Sequence, residues 1–185
     1  MFTAVDIFNA ALAGLAVDPI SSWDDGSAAA KIGRPLYPIE RDRLLSLYPW
    51  SFASDFAAPQ RLAPAGPDDP FLYAVPPDAL RIVTLLDERG DAVYYRREIG
   101  NRLRAMGEAA SLVWISRTDE QLWPGFFAEL LAAFLEARCC KALTGQDGGG
   151  LFNLAQTKFI TAKGADAQQS SPRVLAPALG LLEGR

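Results

Sequence analysis

The chain has 185 residues, half of them hydrophobic, which suffices for one domain with a sizeable core or a core domain with one insertion. Its net charge of −4 argues against a general nucleic-acid binder, which would carry a basic surplus, and against a polybasic membrane contact. Histidine is absent, which excludes Ser-His-Asp and Cys-His catalysis and most zinc sites.

The sequence contains no recognisable secretory or membrane-spanning segment. Its first residues lack the positive charge of a secretory signal, and the longest apolar stretch, residues 124–140, is interrupted by Glu129 and Glu136. The only cysteines, Cys139 and Cys140, are adjacent and therefore poorly placed to bridge each other. We expect a reduced protein that is made in the cytoplasm and has no membrane contact.

A first helix is predicted over residues 3–15, where apolar residues recur at helical spacing. Thr3 and Asp6 stand three residues apart at its start and can form a capping box. The loop at residues 18–27 follows, and it is rich in turn-forming residues. Trp23 lies in this loop, where it can either cap the core or contact a partner protein.

A second helix is predicted over residues 27–47, with Ser27 as its cap. Pro35 and Pro38 fall inside this range, so the helix should be kinked or should begin only after Pro38. Five apolar residues form its predicted buried stripe: Leu36, Ile39, Leu44, Leu45 and Tyr48.

The segment YPWSFA should mark the end of the second helix. Pro49 cannot continue a helix and biases Tyr48 away from helical geometry. Trp50 and Phe52 should then anchor the junction with the following β insertion, at about residues 52–118. We expect Trp50 to be part of the core.

Several runs in the β insertion are rich in β-branched and aromatic residues and predict a small antiparallel sheet. Pro76 and Pro77 form a break that precedes the first long run and belong with the junction residues as a packing motif. The three longest runs are LRIVTLLD at 80–87, AVYYRREI at 92–99 and SLVWIS at 111–116. We expect Trp114, in the last run, to be part of the core.

Helical periodicity returns near the C-terminus, over residues 124–144 and again over about 151–168. A stripe that includes Phe127, Leu131 and Phe134 should face the core of the first of these helices. The segment GQDGGG between the two helices lacks the Lys-Ser/Thr of a phosphate loop and is interpreted as a connector. The fold class is therefore α+β, an antiparallel helical bundle with a small antiparallel β insertion.

Residues 171–185 are predicted to form an extended C-terminal tail, because Pro172 and Pro177 prevent a continuous helix. This tail is more apolar than an ordinary disordered linker. Its apolar residues are Val174, Leu175, Leu179, Leu181 and Leu182, which are candidates for docking on a partner. The alternative is that the tail folds back on its own helices.

Four arginines, Arg96, Arg97, Arg102 and Arg104, form a basic cluster that could contact a phosphate backbone. Acidic residues lie nearby in the sequence, so a solvated surface or a protein interface is the favoured interpretation. The acidic pairs Asp24-Asp25 and Asp68-Asp69 lie in turn-rich loops, where Asp is ordinarily favoured. We predict no catalytic, cofactor-binding or metal-binding residues.

Several segments, taken in order, resemble the tail tubular protein A family, the adaptor (gatekeeper) subunits of short-tailed phages. They are DPISS at 18–22, LYPIERDRLL at 36–45 and YPWSFA at 48–53, then LYAVPPDALRI at 72–82 and FFAELLAAFLEARCCKALTG at 126–145. The resemblance spans roughly residues 4–168.

The resemblance implies a structural virion protein of the neck, not an enzyme. Such adaptors form a dodecameric ring beneath the portal protein, with a tail nozzle or tail tube protein below and DNA passing without sequence specificity through the lumen. The tail at residues 171–185 would then dock on the portal. An acidic chain suits such a lumen, because DNA must slide there without binding. Two alternatives are a monomeric α+β protein-binding module and an enzyme that uses carboxylates alone.

Overall fold

The computed structural model describes residues 2–63 and 71–169 of this α+β protein. The predicted C-terminal tail and the acidic pair Asp68-Asp69 lie outside the described residues. Four α-helices are present in the described part: α1 (Ala4–Gly14), α2 (Ala28–Leu47), α3 (Gly125–Thr144) and α4 (Gly149–Gln169). Between α2 and α3 the described residues form seven strands: β1 (Ser54–Ala57), β2 (Leu72–Ala74), β3 (Ala79–Leu86), β4 (Ala92–Val93), β5 (Tyr95–Glu98), β6 (Arg102–Ala105) and β7 (Ser111–Ser116).

The start of α1 contains the predicted capping box. The Thr3 hydroxyl accepts a hydrogen bond from the Asp6 backbone N–H at 3.1 Å, and the Asp6 carboxylate accepts one from the Thr3 N–H at 2.9 Å. These bonds hold the pKa of Asp6 below its usual value. Asn9 then fixes the loop after the helix, because its side chain exchanges two hydrogen bonds with the backbone of Ile20, at 2.8 and 3.0 Å.

Of the two alternatives predicted for α2, a kink at the prolines or a start only after Pro38, the delayed start is wrong. The helix begins at Ala28, with the Ser27 hydroxyl accepting a hydrogen bond from the Ala30 N–H at 3.1 Å, and it continues through both Pro35 and Pro38. Both prolines are exposed, so the carbonyl groups that lose a helical partner can be hydrated. Packing of the opposite face against the core outweighs the poor helix propensity of proline.

The predicted apolar stripe of α2 is also partly wrong. Ile39 is 62% exposed, and Leu36 and Tyr48 are only half-buried. The buried face instead follows Gly33, Tyr37, Leu44 and the acidic residue Glu40. A Cβ atom at residue 33 would overlap the ring of Phe8, so α1 and α2 can approach closely only with glycine there.

The β insertion forms two antiparallel sheets rather than the single predicted sheet. One has the strand order β1-β7-β3-β4 and the other has the order β2-β6-β5. The run at 92–99 is divided between them, because Val93 pairs with Leu85 in the first sheet and Tyr95 pairs with Ala105 in the second. Tyr94 lies at the point where the chain passes from one sheet to the other.

Strand β7 joins the two hydrophobic cores of the protein. Successive side chains of a strand point to opposite faces of its sheet. Ile115 therefore packs into the core formed with the helices, while Leu112 and Trp114 pack into a smaller core between the sheets. The expectation that Trp114 is buried in a core is confirmed.

Helix α3 is the central element of the larger core. Phe127, Leu131 and Phe134 are buried, as their spacing predicted. The helix ends at Gly145, which adopts the left-handed conformation with a φ of 74°. Helix α4 then begins at Gly149, inside the predicted glycine connector, and packs along α3.

Candidate functional site

The junction after α2 is organised around Trp50. The helix ends at Leu47, before Pro49, and a short 3-10 turn at Ser51–Ala53 leads into β1. The indole N–H of Trp50 donates a hydrogen bond to the Leu44 carbonyl at 2.9 Å, and the side chain is fully buried. Five aromatic rings surround the Trp50 ring, and each has its centroid within 6.3 Å of the Trp50 ring centroid: Tyr48, Phe52, Phe126, Phe127 and Phe159.

A buried carboxylate ties α4 to this junction. Asp166 accepts hydrogen bonds from the Ser51 backbone N–H at 3.0 and 3.1 Å and from the Ser51 hydroxyl at 2.7 Å. This contact was not predicted from the sequence. The spacing of α4 could have indicated it, because Asp166 shares a helical face with Ala155 and Ala162, which are both buried.

The predicted packing motif is divided between two places. Pro49, Trp50 and Phe52 belong to the junction, whereas Pro76 and Pro77 line a cavity of about 230 Å³ beside the smaller core. Trp114 also lines this cavity, and its indole N–H is buried without an acceptor in the part of the chain that the structure describes. Neighbouring Val75 is fixed by a hydrogen bond from its N–H to the Asn101 carbonyl at 2.9 Å.

The predicted arginine cluster lies on a ribbon formed by β5 and β6, two neighbouring strands of the three-stranded sheet. Arg96 is paired with Arg104 and Glu98 with Arg102, so these four side chains share one face of the ribbon. Arg97 is opposite Leu103 and lies on the other face. The cluster is therefore divided between the two faces, with Glu98 among the three arginines of one face and Arg97 on the other.

Glu98 is the ionic partner within this cluster. Its carboxylate accepts hydrogen bonds from Arg96 at 3.0 Å and from Arg104 at 2.6 Å. Arg97 donates to the side-chain oxygen of Asn101 at 3.3 Å, which is not a charged partner. Arg102 is exposed and forms no ion pair with residues 2–63 or 71–169. Positive charge on this ribbon is thus only partly neutralised.

Large apolar side chains lie on the same ribbon. Ile99, in the turn between β5 and β6, is 99% exposed, and Tyr94 and Met106 are exposed at the other end. The turn has a defined shape, with positive φ values of 82° at Gly100 and 54° at Asn101. We call residues 94–106 the basic hairpin. Exposed apolar residues beside unneutralised arginines are typical of a protein interface.

Trp23 is only half-buried, with its ring 5.1 Å from the ring of Phe8 and 5.5 Å from that of Tyr37. These contacts account for its place at the edge of the larger core. Asp24 and Asp25, beside it, have structural contacts: Asp24 forms an ion pair with Arg34 at 2.5 Å, and Asp25 accepts a hydrogen bond from the Ser27 N–H at 2.9 Å.

A groove of about 410 Å³ runs between α1 and α3, and we call it the α1–α3 groove. Its floor is apolar and consists of small side chains together with Ile7 and Phe2. The small residues that line it are Ala10, Gly125, Ala128, Ala132 and Ala133. Three carboxylates and one amine also line it: Asp6, Glu129, Glu136 and Lys158.

The remaining buried polar groups have structural partners. Glu40 is fully buried and is held by two arginines, Arg43 through its Nε at 2.9 Å and Arg138 at 3.4 Å. Burial raises the pKa of the Cys139 thiol to about 11, so this group stays protonated at neutral pH. Within the described residues there is no group of three or more acidic or cysteine side chains that could hold a metal ion.

No known protein-family model and no curated protein sequence matches this chain. None of the helices in the described ranges is long and apolar enough to span a membrane.

Proposed function

We propose that this protein is the subunit of a head–tail adaptor, a ring between the portal and the tail nozzle of a virion. The order of segments that resembles the tail tubular protein A family supports this proposal. The charge and the absence of histidine in the sequence are compatible with it. The proposed function is structural and involves no catalysis.

The observation that carries the proposal is the distribution of exposed apolar side chains. A ring subunit in a neck needs a surface for each neighbouring copy and further surfaces for the portal and for the tail. Large apolar residues are exposed on several parts of the fold, among them Ile39 and Leu47 on α2, Leu154 and Ile160 on α4, and Tyr94, Ile99 and Met106 on the basic hairpin. Exposed apolar side chains on separate elements would supply the several contact surfaces that such a subunit needs.

The finer architecture follows from the same proposal. The four helices act as an antiparallel bundle that forms the rigid body of the subunit, and the β insertion projects from it as a contact module. Residues 171–185 act as an extended tail whose apolar residues dock on the portal. The acidic pI of about 4.9 favours a lumen that does not bind passing DNA.

Deletion of residues 171–185 tests the role of the tail. The truncated protein should fold with nearly normal stability and should fail to join heads that carry the portal. A marked fall in melting temperature, with joining to the portal retained, would instead favour a tail that folds back on its own helices.

Light scattering and negative-stain imaging of the purified full chain test the ring itself. The protein should form rings, alone or after addition of the portal protein from the same genome. A protein that remains monomeric in both conditions would favour a monomeric binding module.

A further inference from the structure

The basic hairpin offers an apolar side chain between unneutralised charges. Ile99 lies in the turn of the ribbon, with Arg97 on one face of the ribbon and Arg102 on the other. Neither arginine forms an ion pair with a carboxylate in residues 2–63 or 71–169. The turn is held by the hydrogen bond from Val75 to Asn101, so its shape is determined before any partner binds.

The α1–α3 groove has the complementary properties. Its alanine floor can receive an aliphatic side chain, and Glu129 and Glu136 line it seven residues apart on one side of α3. Seven residues correspond to about 10 Å along a helix. Neither glutamate forms an ion pair with another described residue.

We propose that the basic hairpin of one copy docks in the α1–α3 groove of a second copy. Ile99 inserts between the alanines of the floor, and Arg97 and Arg102 pair with Glu129 and Glu136. Ile99 is almost fully exposed in the single chain, so the hairpin does not occupy the groove of its own subunit.

A second copy is the favoured occupant because both halves of the contact are on every chain. The hairpin and the groove lie on different elements, so the contact is heterologous, and each bound pair keeps one free hairpin and one free groove. Contacts of this kind continue from copy to copy and close into a ring where the rotation permits. Tyr94 and Met106 extend the apolar surface along the ribbon, as a stable interface requires more area than one side chain supplies.

This inference rests on the proposed function, since it specifies the contact that would build the ring. Charge reversal tests it. In Arg97→Glu/Arg102→Glu, self-association measured by sedimentation should weaken by about tenfold or more, because like charges then face each other. Glu129→Arg/Glu136→Arg should weaken it similarly. Combining all four changes should restore association to within about threefold of the unchanged protein.

The controls are Arg89→Glu and Glu88→Arg, which reverse exposed charges in the turn after β3 and should leave association unchanged. Circular dichroism and the melting temperature should be the same for all variants, because every altered side chain lies at the surface or lines the groove. A second measurement uses Ile99→Cys together with Ala132→Cys. This pair should form disulfide-linked multimers on oxidation, since the native Cys139 and Cys140 are buried.

The possible outcomes separate the two proposals. Rings that form normally with reversed charges, without cross-linking between residues 99 and 132, would overturn the hairpin-in-groove contact and leave the adaptor proposal standing. A full chain that never associates, even with the portal protein present, would overturn both. Loss of association in each double variant, with recovery in the fourfold variant, would support both.

Discussion

Asp166, near the C-terminal end of α4, accepts hydrogen bonds from both the backbone N–H and the hydroxyl of Ser51, in the turn that follows α2. The carboxylate is buried, so the contact fixes the end of the last described helix to the junction between helices and sheets. The segment that follows α4 is the predicted portal-docking tail. The Asp166–Ser51 contact therefore fixes the position of the C-terminal end of α4 against the junction.

Removal of this carboxylate should destabilise the fold. Asp166→Ala leaves the Ser51 N–H without its acceptor, and we expect the free energy of unfolding to fall by about 2–3 kcal/mol. Urea denaturation measures the change, with the exposed Asp18→Ala as a control that should lie within about 0.5 kcal/mol of the unchanged protein. A loss no larger than that of the control would mean that the contact does not contribute to stability.

Two buried tryptophans should respond differently to the same substitution. Trp50→Phe removes the hydrogen bond to the Leu44 carbonyl and reduces the packing against the surrounding rings, whereas Trp114→Phe removes an indole N–H that has no acceptor in the described chain. We expect Trp50→Phe to cost about 2–3 kcal/mol and Trp114→Phe about 1 kcal/mol or less. Equal losses from chemical denaturation would contradict this distinction.

Leu131 tests the role of α3 in the larger core. It is fully buried, so Leu131→Ala should lower the free energy of unfolding by about 2–5 kcal/mol. Ile160→Ala, on the exposed face of α4, serves as the matched control and should change the stability by less than about 0.5 kcal/mol. A loss at Leu131 as small as the control value would place this stripe outside the core.

The buried thiols should be unreactive in the folded protein. Burial raises the pKa of the Cys139 thiol to about 11, above its usual value near 9. The stability gained by keeping this thiol protonated is therefore complete below about pH 9 and is lost as the pH rises through about 11. At pH 8 a maleimide should label Cys139 only in denaturant, because neither a thiolate nor access is available in the fold. Rapid labelling of the native protein would contradict its buried position.

Local signals in the sequence were sufficient for several parts of this structure. The capping box of α1 could be predicted from Thr3 and Asp6, which lie three residues apart. The start of α2 could be predicted from Ser27, and its end from Pro49, because each of these residues acts on the backbone only a few residues away. The continuation of α2 through Pro35 could not be predicted, because burial of the opposite face of the helix outweighs the poor helix propensity of proline.

Contacts between distant parts of the chain were harder to predict. The division of residues 92–98 between two sheets depends on the pairing of Val93 with Leu85 and of Tyr95 with Ala105, and no turn-forming residue marks the change. The α1–α3 groove and the Asp166–Ser51 contact likewise depend on how the helices pack. The arginine cluster was identified, but its division between the faces of one ribbon required the strand register.

The proposal that this protein is a head–tail adaptor is tested by the copy number of the assembly that it forms with the portal. Purified full-length protein, mixed with the portal protein of the same genome, should give a ring bound to one face of the portal. Mass measurement and class averages by electron microscopy should show a dodecamer. A chain that stays monomeric and does not bind the portal would contradict the account of this protein as a head–tail adaptor.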